Sequence, residues 1–420
     1  MRTPRTAASI AGRGALSRLM LPAGADANAL PRLIGRGLRG FCDGFVAVLL
    51  PAYLLALGFG QLDVGLVSSA TLIGSAVATI LVGLFASRCP LRGLLILAAS
   101  LMTSTGLSFA GLSSLWPLLI VAFVGTLNPS SGDVSLFLPL EQSRLAGSAD
   151  GESRTALFAR YSLVGSLSAA VGALAAALPN WLIAHTGLSW LDSLRVMFIF
   201  YALVGVALCL LYGRLPQPQP RPRGRLPATA LGESRGIVTR LALLFSVDAF
   251  AGGLVVNSLM SLWLMQRFGV SLAATAQFFF WAGLLTAGSQ LAAVPLARKI
   301  GLVNTMVFTH IPSSLCLIAA AFAPSLWLTL TLLLARSALS QMDVPTRTAY
   351  VMAVVTPPER PAAASFTAVP RSLASALGPT LAGALLATGW TAAPLVACGL
   401  LKITYDLTLL RAFRRVELAD

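Results

Sequence analysis

Apolar residues in this chain come in long unbroken runs, not in the alternation of a half-buried strand or the stripes of a surface helix. Windows of about 20 apolar residues match the length an α-helix needs to cross a hydrocarbon layer. They fall near 38–58, 64–86, 92–111, 115–137, 157–178, 193–213, 238–264, 273–296, 302–322, 325–344, 362–387 and 391–412. The pattern predicts an all-α membrane protein of twelve transmembrane helices, here called spans 1 to 12. Connections are short except for the segment before span 1, the loop around 139–156, and "GRLPQPQPRPRGRLPATALGESRG" at 213–236. The last lacks hydrophobic periodicity and is rich in Pro, Arg and Gln, the composition of a linker. The expected organisation is therefore a basic N-terminal tail (1–37), a six-helix bundle (38–213), a linker (214–236), a second six-helix bundle (237–413) and a short C-terminal tail (414–420).

Composition agrees with lipid as the main solvent. The chain is 56% hydrophobic and 11% charged, with mean hydropathy +0.81, whereas soluble domains carry about 25% charged residues. The net charge of +15 would suggest nucleic acid in a soluble protein, but here arginines punctuate the loops and no nucleic-acid partner is expected. They gather on one side. Arg2, Arg5, Arg13, Arg18, Arg32, Arg36, Arg39, Arg88, Arg92, Arg144 and Arg154 are followed there by the linker arginines, Arg298, Lys299, Arg347, Arg360 and Arg411, while Arg195 and Arg267 fall opposite. The positive-inside rule puts the richer side, and both termini, in the cytoplasm. This is the topology of a multi-pass protein of the cell inner (plasma) membrane. The first 25 residues hold four arginines and no acid, which fits an organelle presequence as well as a basic cytosolic tail.

Five scattered cysteines and two histidines, His185 and His310, offer no metal-ligand spacing. No metal or other cofactor is expected. Nor is there a nucleophile–His–acid set, so the chain does not read as an enzyme.

The two halves repeat each other at an offset of about 205–211 residues. "CDGF" (42–45) meets "VDAF" (247–250), "FASR" meets "PLAR", "SSLW" meets "PSLW", "GDVS" meets "MDVP", and "SLSAAVG" (166–172) meets "SLASALG" (372–378). A duplicated six-plus-six protein with a central basic linker resembles the major facilitator superfamily of secondary transporters, over roughly residues 37–415. That family's loop 2–3 motif survives here in degraded form as "GLFASRCPLRG": Gly83, Arg88 and Arg92 match, and Ser87 stands where the family has an acid. Helix 5 lacks the Gly-Pro pair of drug:proton antiporters; Gly378-Pro379 lies in span 11 instead. The resemblance implies a monomer that works by alternating access, with spans 1, 4, 7 and 10 lining a central cavity. It implies coupling to a proton or other ion gradient and export of a small organic or anionic compound. Uptake by proton symport, or a non-transporting sensor or scaffold, are the alternatives.

Charges inside the bilayer cost several kcal/mol, so they are the candidate functional groups. Asp43 and Asp248, at equivalent places in spans 1 and 7, are the proton-coupling candidates. Arg39, at i−4 from Asp43, is the alternative structural partner of Asp43, while Asp248 has no cation near it in sequence. Arg336 and Arg371, near mid-bilayer, are candidates for binding an anionic substrate. Lys402 and Asp406, spaced i,i+4, are expected to pair, and His310 to serve as a packing residue. Asp133 and Asp343 end spans 4 and 10 beside Arg88, Arg92, Arg298 and Lys299, a set that predicts a cytoplasmic gate, extended by Glu141–Arg144 and Glu359–Arg360.

Overall fold

The computed structural model describes residues 20–22, 25–85, 89–130, 136–145, 148, 151–215, 232, 234–356 and 359–413. All regular structure among them is helical. In chain order the helices are α1 (Leu30–Ala56), α2 (Gln61–Phe85), α3 (Leu91–Gly111), α4 (Leu115–Val124), α5 (Phe137–Leu145), α6 (Gly151–Ala175), α7 (Leu178–Thr186) and α8 (Trp190–Gly213) in the first half. The second half holds α9 (Arg235–Gly253), α10 (Asn257–Phe268), α11 (Leu272–Ile300), α12 (Leu302–Phe322), α13 (Leu326–Leu339), α14 (Asp343–Val354), α15 (Arg360–Ala387) and α16 (Ala393–Phe413). Helices of 21 or more residues such as α2, α3, α8, α11, α12 and α16 are long and apolar enough to cross a bilayer unaided. Spans 5, 7 and 10 are instead built from two helical pieces each, α6 with α7, α9 with α10, and α13 with α14, and in span 4, expected over 115–137, α4 already stops at Val124.

The breaks correct the expected edge of span 10. "SQMDVPTR" is an interruption, not an ending: α13 stops at Leu339 and α14 restarts at Asp343. Pro345, lacking an N–H, falls in the first turn of α14, where N–H groups have no intrahelical acceptor anyway. Asp343 as the first residue sits where the helix dipole favours a carboxylate.

Packing repeats between the halves. α1 lies on α6 as α9 lies on α15; α3 lies on α8 as α12 lies on α16; α2 lies on α4 as α11 lies on α13. The bundles meet through the reciprocal pairs α2–α15 and α6–α11. Small residues permit close approach both within a bundle, where a methyl group at Gly40 would fall 2.6 Å from the Gly165 carbonyl oxygen, and between bundles, where one at Gly65 would fall 2.4 Å from that of Pro379.

The bundles are joined at one end. The linker end is where α8 stops at Gly213 and α9 starts at Arg235; the far end carries the short α1–α2, α3–α4 and α10–α11 turns. Cross-bundle hydrogen bonds among the described residues sit toward the far end. Ser68 Oγ and Ser258 Oγ are 3.0 Å apart, Ser261 Oγ donates to the Val48 carbonyl at 3.0 Å, and Thr380 N donates to Ser69 Oγ at 3.0 Å. Ser258 N also donates to the Pro129 carbonyl at 3.0 Å. One apolar core runs through both bundles. Two smaller cores near the linker end belong to one half each, around Val238, Met306 and Tyr350 in the second half and around Leu33, Leu145 and Tyr161 in the first. Trp116, Trp181, Trp190, Trp327 and Trp390 stand exposed at the far end, where their amphipathic rings suit a membrane interface.

Candidate functional site

Among the described residues, each half holds a buried ionic cluster. In the first, Glu141 of α5 has no exposed surface. Its Oε1 accepts from Arg39 Nη1 at 2.9 Å and from the Tyr212 hydroxyl at 2.5 Å, and its Oε2 accepts from the Tyr161 hydroxyl at 2.5 Å and from Arg39 Nη2. The Arg39 guanidinium stacks over Phe137, 4.2 Å from the ring centre. Gly35 leaves room for the Tyr212 hydroxyl, which a methyl group there would meet at 2.3 Å. Arg39, drawn in the sequence beside Asp43 one turn away, thus turns to a carboxylate 102 residues distant. Asp43 is buried on α1.

The second cluster gathers residues of α9, α12, α14 and α16. Asp248 Oδ1 accepts from Lys402 Nζ at 2.6 Å and its Oδ2 from Arg347 Nη1 at 3.0 Å. Arg347 Nη1 also lies 3.3 Å from Asp343 Oδ2, one turn back on α14. Lys402 Nζ stands 3.2 Å from His310 Nε2, and His310 Nδ1 stands 3.1 Å from Asp406 Oδ1. Asp248, Asp343, Asp406, Arg347 and His310 are all buried.

Several expectations change here. Asp248 has two cations, brought by α14 and α16, not none. Lys402 pairs with Asp248 and not with Asp406, because α16 packs against α9 and a lysine between two carboxylates reaches the one on the facing helix. His310 is a hydrogen-bonded member of the cluster, not packing alone. Asp343 pairs with Arg347; Arg298 and Lys299 are exposed at the end of α11, and neither forms an ion pair with it among the described residues. Arg92 donates to the Gly213 carbonyl, tying the start of α3 to the C-terminus of α8. Glu359 accepts from Gly232 N and Ser234 N at 3.1 and 3.2 Å and so holds the N-terminal approach to α9. Arg88 and Asp133, the first-half gate candidates, lie outside the described residues.

Arg336 and Arg371 remain apart. Arg336, half-buried on α13, and Arg371, exposed on α15, form no ion pair and no side-chain hydrogen bond among the described residues. Arg371 is close enough to Arg347 to feel its charge, and Arg336 neighbours Cys398. Sequence reasoning placed Glu141 with Arg144 at the edge of the gate, where the structure pairs it with Arg39, and it missed Tyr161, Tyr212 and the role of Arg347. The available signals were an acid inside the apolar text "LFLPLEQ" and an arginine one turn after Asp343.

A duplicated helical bundle closed at one end, with ion clusters buried in both halves, is the architecture of a membrane transporter. The sequence profile of the Major Facilitator Superfamily matches residues 33–340 and again 241–416, and the chain belongs to that family. It is 23% identical over 415 residues to the uncharacterized membrane protein YJR124C of Saccharomyces cerevisiae, covering 90% of this chain and 92% of the relative. Solved structures share the fold. A bacterial homologue of the human lysosomal transporter Spinster, inward-facing and occupied, aligns over 91% of this chain and 94% of its own with TM-score 0.68 and 16% identity. The nucleoside transporter NupG aligns over 93% and 100% with TM-score 0.69 and 15% identity. The human organic anion transporter MFSD10 aligns over 91% and 98% with TM-score 0.64 and 19% identity.

Proposed function

We propose that this chain is a proton-coupled secondary transporter that exports a small organic anion by alternating access. In this reading it acts as a monomer in the cell inner membrane with both termini in the cytoplasm. The two bundles rock about a midplane site, and the arrangement with the far end joined is the cytoplasm-open state. The observation that carries the reading is the mismatch of partners in the second half. Asp248 sits in a buried network with more acids than permanent cations, while Arg336, half-buried on α13, and Arg371, exposed on α15 within electrostatic reach of that network, have guanidinium groups without a hydrogen-bond partner among the described residues. A free guanidinium in a low-dielectric site suits a carboxylate or phosphate-like group, which it can bind through two parallel hydrogen bonds. A buried carboxylate with competing cations is the group a proton gradient can act on. Asp43, the counterpart of Asp248 in the first half, is the second coupling candidate. The proposed gate keeps the set read from the sequence, Arg88, Arg92, Asp133, Arg298, Lys299 and Asp343, with Arg298 and Lys299 at the end of α11 and Asp343 acting from inside span 10.

The test is flux in proteoliposomes holding the purified full-length protein, with a panel of organic anions and their neutral counterparts, with and without an imposed pH gradient. Anion-selective flux that responds to the gradient supports the reading. Flux of neutral and anionic compounds alike, indifferent to pH, overturns it.

A further inference from the structure

The heavy-atom distances fix the hydrogens of the second cluster. A lysine ammonium only donates, so the 3.2 Å contact between Lys402 Nζ and His310 Nε2 requires Nε2 to be bare. The imidazole proton is then on Nδ1 and donates to Asp406 Oδ1 at 3.1 Å. Asp406 Oδ2 is left buried with no hydrogen-bond partner among the described residues, on a residue with no exposed surface. A buried carboxylate oxygen without a donor carries a large desolvation cost.

Charge counting points the same way. Asp248, Asp343 and Asp406 bring three negative charges, and Arg347 and Lys402 bring two positive ones. With His310 neutral the cluster carries one uncompensated negative charge. Of the other groups near it, Tyr405 on α16 is neutral, Cys398 on the same helix is a buried thiol, and Arg371 on α15 lies within electrostatic reach of Asp248 and Asp343 but bonds to none of the three acids among the described residues, so the unpartnered Asp406 Oδ2 is the stronger sign.

We infer that Asp406 Oδ2 is the proton-carrying atom of this transporter, and that Lys402 is the cation that moves when the proton leaves. The inference rests on the proton-coupled reading above and names its site. With the proton bound, Asp406 is neutral, the cluster sums to zero and Lys402 stays on Asp248, as observed. When the proton departs to water, Asp406 becomes a carboxylate one turn from Lys402 on α16, the i,i+4 spacing at which a lysine reaches an acid. Lys402 then swings to Asp406 and Asp248 keeps Arg347 alone. Asp248 lies six residues before Leu254, where α9 gives way to α10, and α10 carries Ser258 and Ser261, which hold the far end closed. Loss of Lys402 loosens that anchor. The protonated form therefore favours the far-end-closed state. By linkage, raising the pH through the Asp406 titration shifts the population away from it.

The test is pulsed electron-spin distance measurement on full-length protein in nanodiscs, with labels at native Cys89 and at Ile300→Cys and the other cysteines replaced by serine. Both sites are exposed near the linker end, one in each half. The ratio of linker-open to linker-closed distances is expected to fall about tenfold between about pH 5.5 and about pH 8.5. Asp406→Asn, which fixes the neutral form, is expected to stay linker-open across that range. His310→Gln keeps an amide donor for Asp406 and is expected to retain the pH response, and Asp406→Glu to retain it with a moved midpoint. A wild-type response preserved in Asp406→Asn, or abolished in His310→Gln while Asp406→Glu also lacks it, overturns the assignment. A wild-type protein whose distances ignore pH but whose flux still follows a pH gradient overturns the assignment alone. One whose flux also ignores the gradient overturns the coupled reading with it.

Discussion

The two halves share a fold and a packing scheme, yet they use buried charge differently. In the first half one acid, Glu141, receives four hydrogen bonds from Arg39, Tyr161 and Tyr212, and both of its oxygens are satisfied. In the second, three acids share Arg347, Lys402 and His310, and one carboxylate oxygen has no donor. A saturated pair has one low-energy arrangement and acts as a fixed strut. An under-supplied network has several arrangements of similar energy, and a proton or a ligand can choose among them. Of the two clusters, the one in the first half is saturated and the one in the second is not.

The contrast predicts different consequences for removing an acid. Glu141→Ala strands a buried guanidinium and is expected to cost about 3–5 kcal/mol, seen as a large drop in the unfolding temperature of the detergent-solubilised protein. Replacing Arg39 and Glu141 together with apolar residues of similar volume is expected to recover most of it. A small loss in the single variant would remove the strut from the comparison. Asp248→Asn leaves Arg347 with Asp343 and Lys402 with His310, so its stability loss is expected to be smaller while pH-driven flux disappears. Retained coupling in that variant would show that release of Lys402 from Asp248 does not carry the response. Arg371→Ala and Arg336→Ala are expected to weaken binding of organic anions by about 10- to 100-fold, the equivalent of about 1.5–3 kcal/mol for a charged hydrogen bond. Equal losses for neutral compounds in a binding titration would make the two arginines structural. Arg298→Ala and Lys299→Ala, on an exposed helix end, are expected to leave the unfolding temperature unchanged. A shift in linker-end opening in the spin-label measurement would return them to a gate with Asp343.

Much of the fold was legible because lipid imposes a simple rule. A backbone in hydrocarbon must satisfy its own hydrogen bonds, so every apolar run of sufficient length becomes a helix. The repeat was legible for a related reason: "SLSAAVG" and "SLASALG" preserve the small residues that let α6 and α15 approach α1 and α9. The breaks in spans 7 and 10 were harder to see. "GGLVVN" and "SQMDVP" are apolar or short enough to continue a helix by composition, and only their neighbours decide that they do not.

Sequence alone determined that this is a duplicated all-helical membrane protein and which ionisable residues are costly enough to need a purpose. It placed Asp248, Asp406, Lys402, Arg336 and Arg371 among them, because depth in an apolar run is a property of the run. The partners were decided only by tertiary structure. Spacing along one helix offered Arg39 to Asp43 and Lys402 to Asp406, but the placement of Glu141 by α5, which packs on α3 and α6, and the packing of α9 on α16 offered others. An ion pair forms where two charges meet across a desolvated gap, and that gap lies between helices whose separation in sequence says nothing about their distance in space.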